Sequence, residues 1–233
     1  MKKNSYIVPL SLIFCLFFLW AISSNLLPTM IRQLMKTCEL NTFEASFTET
    51  AYWLAYFIFP IPIAMFMKRY SYKAGIIFGL CLASLGGFLF FPAAMIKSYW
   101  VYLCVFFIIA TGMCFLETAA NPYVTVLGKP ETSIRRLNLA QSFNGLGAFI
   151  SAMFLSKLVL SGNNYTRETL PLSYEGGWEA YIQTETDAMK MPYLVLAMLL
   201  IVIAVVFVYA SAVSASGHAA DCRGADIRVY EIS

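Results

Sequence analysis

Six stretches of this chain stay apolar for about 20 residues at a time, and that property leaves few folds open. A run of that length, wound as an α-helix at about 1.5 Å per residue, matches the hydrocarbon thickness of a bilayer. In lipid, every backbone N–H and C=O must find its partner inside the protein, which favours helices for such runs. The stretches are 7–27, 47–67, 74–96, 99–116 with an extension to 127 open, 139–160 and 192–212.

Composition agrees. Hydrophobic residues make up 60% of the 233 residues and charged residues 12%, where a soluble domain carries about 45–50% and about 25%. A water-soluble chain this long still needs a wet surface; a bilayer removes that need and becomes the expected partner. The net charge is +3 and no basic patch interleaves with aromatic residues, so nucleic acid is not an expected partner. The expected fold is therefore an all-α membrane protein with six transmembrane helices over residues 1–212. Residues 213–233 turn polar, with Asp221, Arg223, Asp226, Arg228 and Glu231 among Ala, Gly and Ser, and are expected to form a disordered cytoplasmic tail. The first apolar run follows Lys2 and Lys3. It is too long and too aromatic, with Phe14, Phe17, Phe18 and Trp20, to be a cleaved leader, so an uncleaved first helix is expected.

Lys and Arg in short loops set orientation. Lys2 and Lys3, then Lys68, Arg69 and Lys73, then Lys129, Arg135 and Arg136 fall on alternate connections. Arg32, Lys36 and Lys97 fall on the others, and the loop 161–191 is mostly acidic, with Glu168, Glu175, Glu179, Glu185 and Asp187 against Arg167 and Lys190. Both termini are thus expected in the cytoplasm. Gly75 and Gly79 form a GxxxG pair that would let another helix approach closely. Pro28, Pro60, Pro62 and Pro122 punctuate the apolar runs, and in a bundle neighbouring helices can satisfy the carbonyls they free.

Enzymatic chemistry finds little support. The six cysteines form no CxxC pair, and the single histidine, His218, lies in the polar tail. Neither a metal cluster nor a nucleophile–base pair can be assembled from that set, so no metal, no cofactor and no enzyme activity is expected.

The residue that invites a functional reading is Glu117, because an ionisable group inside a membrane is costly and rarely idle. A carboxyl group in a poorly solvated site can bind and release a proton near neutral pH, the property a proton-coupled carrier needs. The alternative is that the fourth helix ends at Leu116 and Glu117 sits in the wet interface. Asn121 lies at i+4 on the same helical face, and Pro122 frees a carbonyl near Thr118. Asn138, Gln141 and Asn144 share roughly one face of the fifth helix. Amides donate and accept, as sugar hydroxyls require, but polar residues also join helix to helix in membranes. Trp20, Tyr52, Trp53 and Tyr56 could stack on a sugar ring or serve as interfacial packing. Asn25 follows Ser23 and Ser24 on the first helix. Lys68, Arg69 and Lys73 could latch a cytoplasmic gate, although topology alone would also place them there.

Several strings carry a family resemblance. They are FFLWA at 17–21, PIPIA at 60–64, MKRYSYKAGI at 67–76, LETAANPYVTVLG at 116–128 and RLNLAQSFN at 136–144. They resemble the fucose–galactose–glucose:proton symporters, a branch of the major facilitator superfamily, over roughly residues 8–210. The resemblance implies twelve helices in two six-helix halves, of which this chain would be the N-terminal one, with a sugar site between halves that rock. It implies that Glu117 takes part in proton coupling and sugar binding. It also implies that Gln141 and Asn144 lie in or near the cavity and that 68–73 is the cytoplasmic motif between helices 2 and 3; Trp20, Asn25 and Asn121, taken from their own chemistry and position, are further candidate sugar contacts. The expected partners are a monosaccharide such as L-fucose, galactose or glucose, protons, the bacterial cytoplasmic membrane and a second six-helix half. Two departures stand out. Family members carry an aspartate on helix 1, where an ungapped match puts Pro28, so the coupling ion stays open. The matching sequence also stops after the sixth span, so a truncated, non-transporting membrane fragment or assembly partner stands as the alternative.

Overall fold

The computed structural model of the chain describes the backbone of residues 7–96, 98–155, 165, 169–170 and 176–230, with side chains described as far as residue 154 in the second stretch and residue 210 in the last. Lys2, Lys3, Lys97, Arg167, Glu168, Glu175 and the end of the fifth expected span, 156–160, lie outside the described residues.

Within these bounds the chain is helical. Helix α1 covers Ile7–Thr37, α2 Thr42–Ile58, α3 Pro60–Tyr70, α4 Tyr72–Ile96 and α5 Tyr99–Val126. A 3-10 turn, Pro130–Thr132, leads into α6, Ser133–Ile150, which passes into a π-helical segment, Ser151–Leu155. Helix α7 runs Gly177–Tyr230.

Four of these helices (α1, α4, α5 and the part of α7 up to Ala210) are each long and apolar enough to cross a membrane, with mean hydropathies of 2.3, 2.2, 2.1 and 2.9. Helices α2 and α3 make a fifth span if counted together, bent by 43°. The bend has a cause: Pro60 opens α3 and has no N–H to continue the α2 ladder. The expected count of six is therefore four or five among the described residues. The fifth expected stretch corresponds to α6, which is the least apolar of the set and leaves the α-helical path at Ser151.

Three expected boundaries move. Helix α1 continues through Pro28 to Thr37, so Arg32 and Lys36 sit on the helix and not in a loop. Helix α7 begins at Gly177, inside the expected acidic loop, and its backbone carries on to Tyr230, through most of the stretch expected to be irregular. No proline follows Pro192 to break the helix. At its start α2 is fixed by a capping box: the Asn41 side chain accepts from the Glu44 amide, and the Glu44 carboxylate accepts from the Asn41 amide.

Small residues decide which helices touch. Gly79 of the GxxxG pair lies where an added Cβ would come 2.8 Å from Phe115 Cβ and 2.9 Å from the Gly112 carbonyl oxygen. A Cβ on Gly112 would meet the Ala83 backbone at 2.4 Å. Helices α4 and α5 are thus in near-backbone contact, which the small-residue rule for membrane helices anticipates. Gly147 does the same for α6 and α1, where a Cβ would lie 2.5 Å from the Phe18 carbonyl oxygen. On the other side of α4, the Ser84 hydroxyl donates to the Ala197 carbonyl of α7 at 2.8 Å, beside the stacked pair Phe90–Tyr193. These contacts place α5 centrally, and α1 and α6 beside its polar face.

Candidate functional site

Glu117 lies well inside α5, nine residues before its end at Val126, so the helix does not stop at Leu116. Its side chain lines an open cleft of about 220 Å³ with Leu16, Phe17 and Trp20 of α1 and Leu116 and Ala120 of α5. The cleft wall is therefore apolar except for the carboxyl group and the indole N–H. Among the described residues no hydrogen bond or ion pair reaches the Glu117 carboxyl.

Aromatic residues of α2 gather around Trp20. Trp20 donates its indole N–H to the Tyr56 hydroxyl at 3.2 Å. Tyr52 stacks on Tyr56 with ring centroids 5.6 Å apart, and Trp53 lies 5.5 Å from Tyr56 on the exposed side. The buried Tyr52 hydroxyl faces Ser24 and Tyr56 without a well-formed hydrogen bond to either. Trp20 thus lines the cleft and Tyr56 holds it through the indole–hydroxyl hydrogen bond, while Trp53 is exposed.

The amides join in a line. Asn144 donates to Gln141 Oε1 at 3.3 Å, Gln141 donates to Asn121 Oδ1 at 3.2 Å, and Asn121 donates to the Glu117 backbone carbonyl at 3.1 Å. The last bond uses the i−4 acceptor that Asn121 can reach on its own helix. Gln141 and Asn144 are one helical turn apart on α6 and face α5 together. Gln141 is exposed and Asn121 and Asn144 are half-buried, so the line borders open space and is not sealed between helices.

Five sequence candidates fall outside this line. Asn25 is exposed and turns its amide back to the Ala21 carbonyl of its own helix at 2.8 Å. Asn138 is exposed, and its backbone carbonyl accepts from the Ser142 hydroxyl. Lys68 and Arg69 are exposed at the end of α3, Arg69 lying 5.5 Å over the Tyr70 ring. Lys73, half-buried at the start of α4, lines a second cleft with Pro9, Leu12, Tyr123, Phe207 and Ala210. Among the described residues no three His, Cys, Asp or Glu side chains converge as metal ligands would.

Two polar features were not legible as such. Arg136, expected as a loop charge, is 8% exposed and binds back to the end of α5. Its Nε donates to the Val124 carbonyl at 3.2 Å and its two terminal nitrogens to the Thr125 and Lys129 carbonyls at 2.9 Å each, with the Thr132 hydroxyl as a further acceptor. Glu185 of α7 is fully buried, accepts from Gln33 Nε2 of α1 at 2.6 Å and lies 3.8 Å from Lys36 Nζ. A charged residue next to an apolar span gives no sequence signal that it will fold inwards.

The sequence pattern of the Major Facilitator Superfamily matches residues 10–220. The chain is 41% identical over 204 residues to the L-fucose-proton symporter of Escherichia coli (strain K12), covering 87% of this chain and 47% of that one. It is 37% identical over 206 residues to the glucose/galactose transporter of Brucella abortus, covering 88% and 47%. Among solved structures, the superfamily transporter FucP in the outward conformation matches with a TM-score of 0.76 at 41% identity, over 88% of this chain and 50% of that one. The chain spans about half the length of the curated relatives it matches.

Proposed function

We propose that this chain, which belongs to the Major Facilitator Superfamily, is the sugar-binding N-terminal half of a proton-coupled monosaccharide carrier. It is a multi-pass membrane protein of a transporter family, and the relatives named for L-fucose, glucose and galactose supply the substrate class. The observation that carries the reading is the line Asn144–Gln141–Asn121, which ends on the Glu117 backbone beside the Trp20 ring.

Each part has a task. Amides both donate and accept, so Gln141, Asn144 and Asn121 match hydroxyl groups that do the same. Trp20, held by Tyr56, offers a flat apolar face to the C–H side of a pyranose. Asn25, exposed on α1, is a further sugar contact. Glu117 carries the proton. In apolar surroundings an unneutralised carboxylate is costly, so protonation and sugar occupancy bias one another. Lys68, Arg69 and Lys73 act at the cytoplasmic gate. The chain lies in the bacterial cytoplasmic membrane with both termini inside, and a second six-helix half closes the cavity for alternating access.

The test is uptake of radiolabelled L-fucose, galactose and glucose into proteoliposomes with an imposed proton gradient. The expected outcome is gradient-driven accumulation that Glu117→Gln abolishes. Accumulation undiminished in Glu117→Gln would remove the proton role from that residue. No uptake by correctly inserted chain, restored when a complementary six-helix half is co-reconstituted, would place transport in the assembly. No uptake with either would favour the non-transporting alternative.

A further inference from the structure

Helix α6 is seated on α1 at Gly147 and by the Phe14–Phe143 stack, but has little to hold it in register against α5. Its buried residues are Arg136, Ala140 and Gly147, while Ile134, Leu139, Phe143, Leu146 and Phe149 are exposed. Gly147 packs against Phe18 and Ala21 of α1, so it does not oppose sliding of α6 along α5. Directional bonds can resist it. The bonds from Gln141 to Asn121 and from Asn144 to Gln141 are among exposed or half-buried neutral side chains, where each contributes little.

Arg136 is different in kind. It is a buried, charged donor on three backbone carbonyls and one hydroxyl, and the Val124 and Thr125 carbonyls belong to the last turn of α5. Carbonyls at a helix end lack intrahelical partners, and a cation there also meets the negative end of the helix dipole. The planar guanidinium reaches several acceptors in one fixed geometry, which lysine cannot do. Asn121 precedes Thr125 by four residues, one turn along α5. Gln141 follows Arg136 by five, a little over one turn along α6. The cap and the amide line therefore tie the same two helices at neighbouring levels.

We propose that Arg136 is a positioning residue for the amide line: by capping α5 from α6 it sets the register that lets Gln141 meet Asn121. This rests on the sugar-site reading for its functional consequence, but the register itself can be measured without sugar. The full chain, with its Asn and Gln side-chain amides labelled with 15N, is placed in lipid nanodiscs, and the NH2 signals of Asn25, Asn121, Gln141 and Asn144 are followed. In Arg136→Gln the Asn121, Gln141 and Asn144 signals should shift while Asn25, bonded within α1, stays in place. Arg136→Lys should recover part of the displacement, and Thr132→Val, which removes one acceptor of the four, should give a smaller one. Titration with L-fucose and D-galactose should show affinity at least tenfold weaker in Arg136→Gln. Unmoved Asn121, Gln141 and Asn144 signals would overturn the proposal, as would an equal movement of Asn25, which marks general loss of structure. If Arg136→Gln does not fold, Thr132→Val and Arg136→Lys decide on the same signals. If wild-type signals ignore both sugars, the sugar-site reading fails, while the displacement in the variants still decides the register.

Discussion

Glu117 illustrates how a single residue takes its meaning from depth. Two turns of helix follow it before Val126, and its neighbours in the cleft are Leu16, Phe17, Leu116 and Ala120. Sequence showed an acid at the edge of an apolar run. Only the continuation of α5 through Pro122 placed that acid inside the span. Gln141 is the pivot of the amide line, accepting from Asn144 and donating to Asn121. Gln141→Ala breaks both links, and sugar affinity is expected to fall about tenfold, the upper range for neutral hydrogen bonds. Asn25→Ala, which loses a bond within its own helix, should have a smaller effect; binding isotherms for the two variants provide the comparison. Cys38, just beyond α1, gives a pH test. Burial raises its thiol from the ordinary value of 9.0 to about 11. The thiolate is the reactive form, so at pH 8 a water-soluble maleimide should label Cys38 about 100-fold more slowly than a thiol at the ordinary value. The rate should climb tenfold per pH unit until about pH 11, and mass spectrometry of the modified peptide follows it.

At the scale of elements, close approach between helices is fixed by residues that carry almost no signal in composition. Gly145 and Gly147 stand two apart on α6. A Cβ on Gly145 meets nothing within 4 Å, whereas one on Gly147 lies 2.5 Å from the Phe18 carbonyl oxygen and 3.0 Å from Ala21 Cβ. Replacing an exposed helical glycine by alanine favours the helix by about 1 kcal/mol, so Gly145→Ala should raise the unfolding temperature slightly. Gly147→Ala must move backbone, and overpacking of that kind costs about 1–3 kcal/mol. Thermal unfolding in detergent is expected to separate the two variants in sign, with Gly147→Ala also loosening the stacked pair Phe14–Phe143 between α1 and α6. The bend between α2 and α3 was legible as prolines in an apolar run, yet its angle depends on how Tyr56 and Phe59 pack on the α5 side. The continuation of α1 through Pro28 was not legible, because proline inside a helix is tolerated where neighbours cover the freed carbonyl.

The whole molecule carries its apolar residues outward as well as inward. Phe57, Ile61, Trp100 and Tyr209 are 86%, 74%, 74% and 72% exposed. A surface of that kind is stable against lipid and would associate in water. The orientation proposed from the basic connections predicts a labelling pattern. In intact cells, a membrane-impermeant maleimide should react with a cysteine placed at Asn41 and spare one placed at Glu131, in a background without native cysteines. The reverse pattern would invert the proposed topology.

The sequence by itself determined the medium, the helical class and the family, because these depend on quantities that add along the chain: apolar length, scarcity of charge and uninterrupted motif strings. It also supplied Glu117, Asn121, Gln141 and Asn144 as polar groups worth tracing, since a polar group in an apolar run is conspicuous wherever the run folds. The tertiary structure decided the number and length of the helices, the inward turn of Arg136, and which amides meet. It left Asn25 bonded to its own helix and linked Asn121, Gln141 and Asn144 from two helices. Those outcomes depend on register and rotation between helices, set by near-backbone contacts at Gly79, Gly112 and Gly147 and by directional bonds between residues far apart in the chain. Residue pattern fixes what a helix can offer, and only packing fixes the face and level at which it is offered.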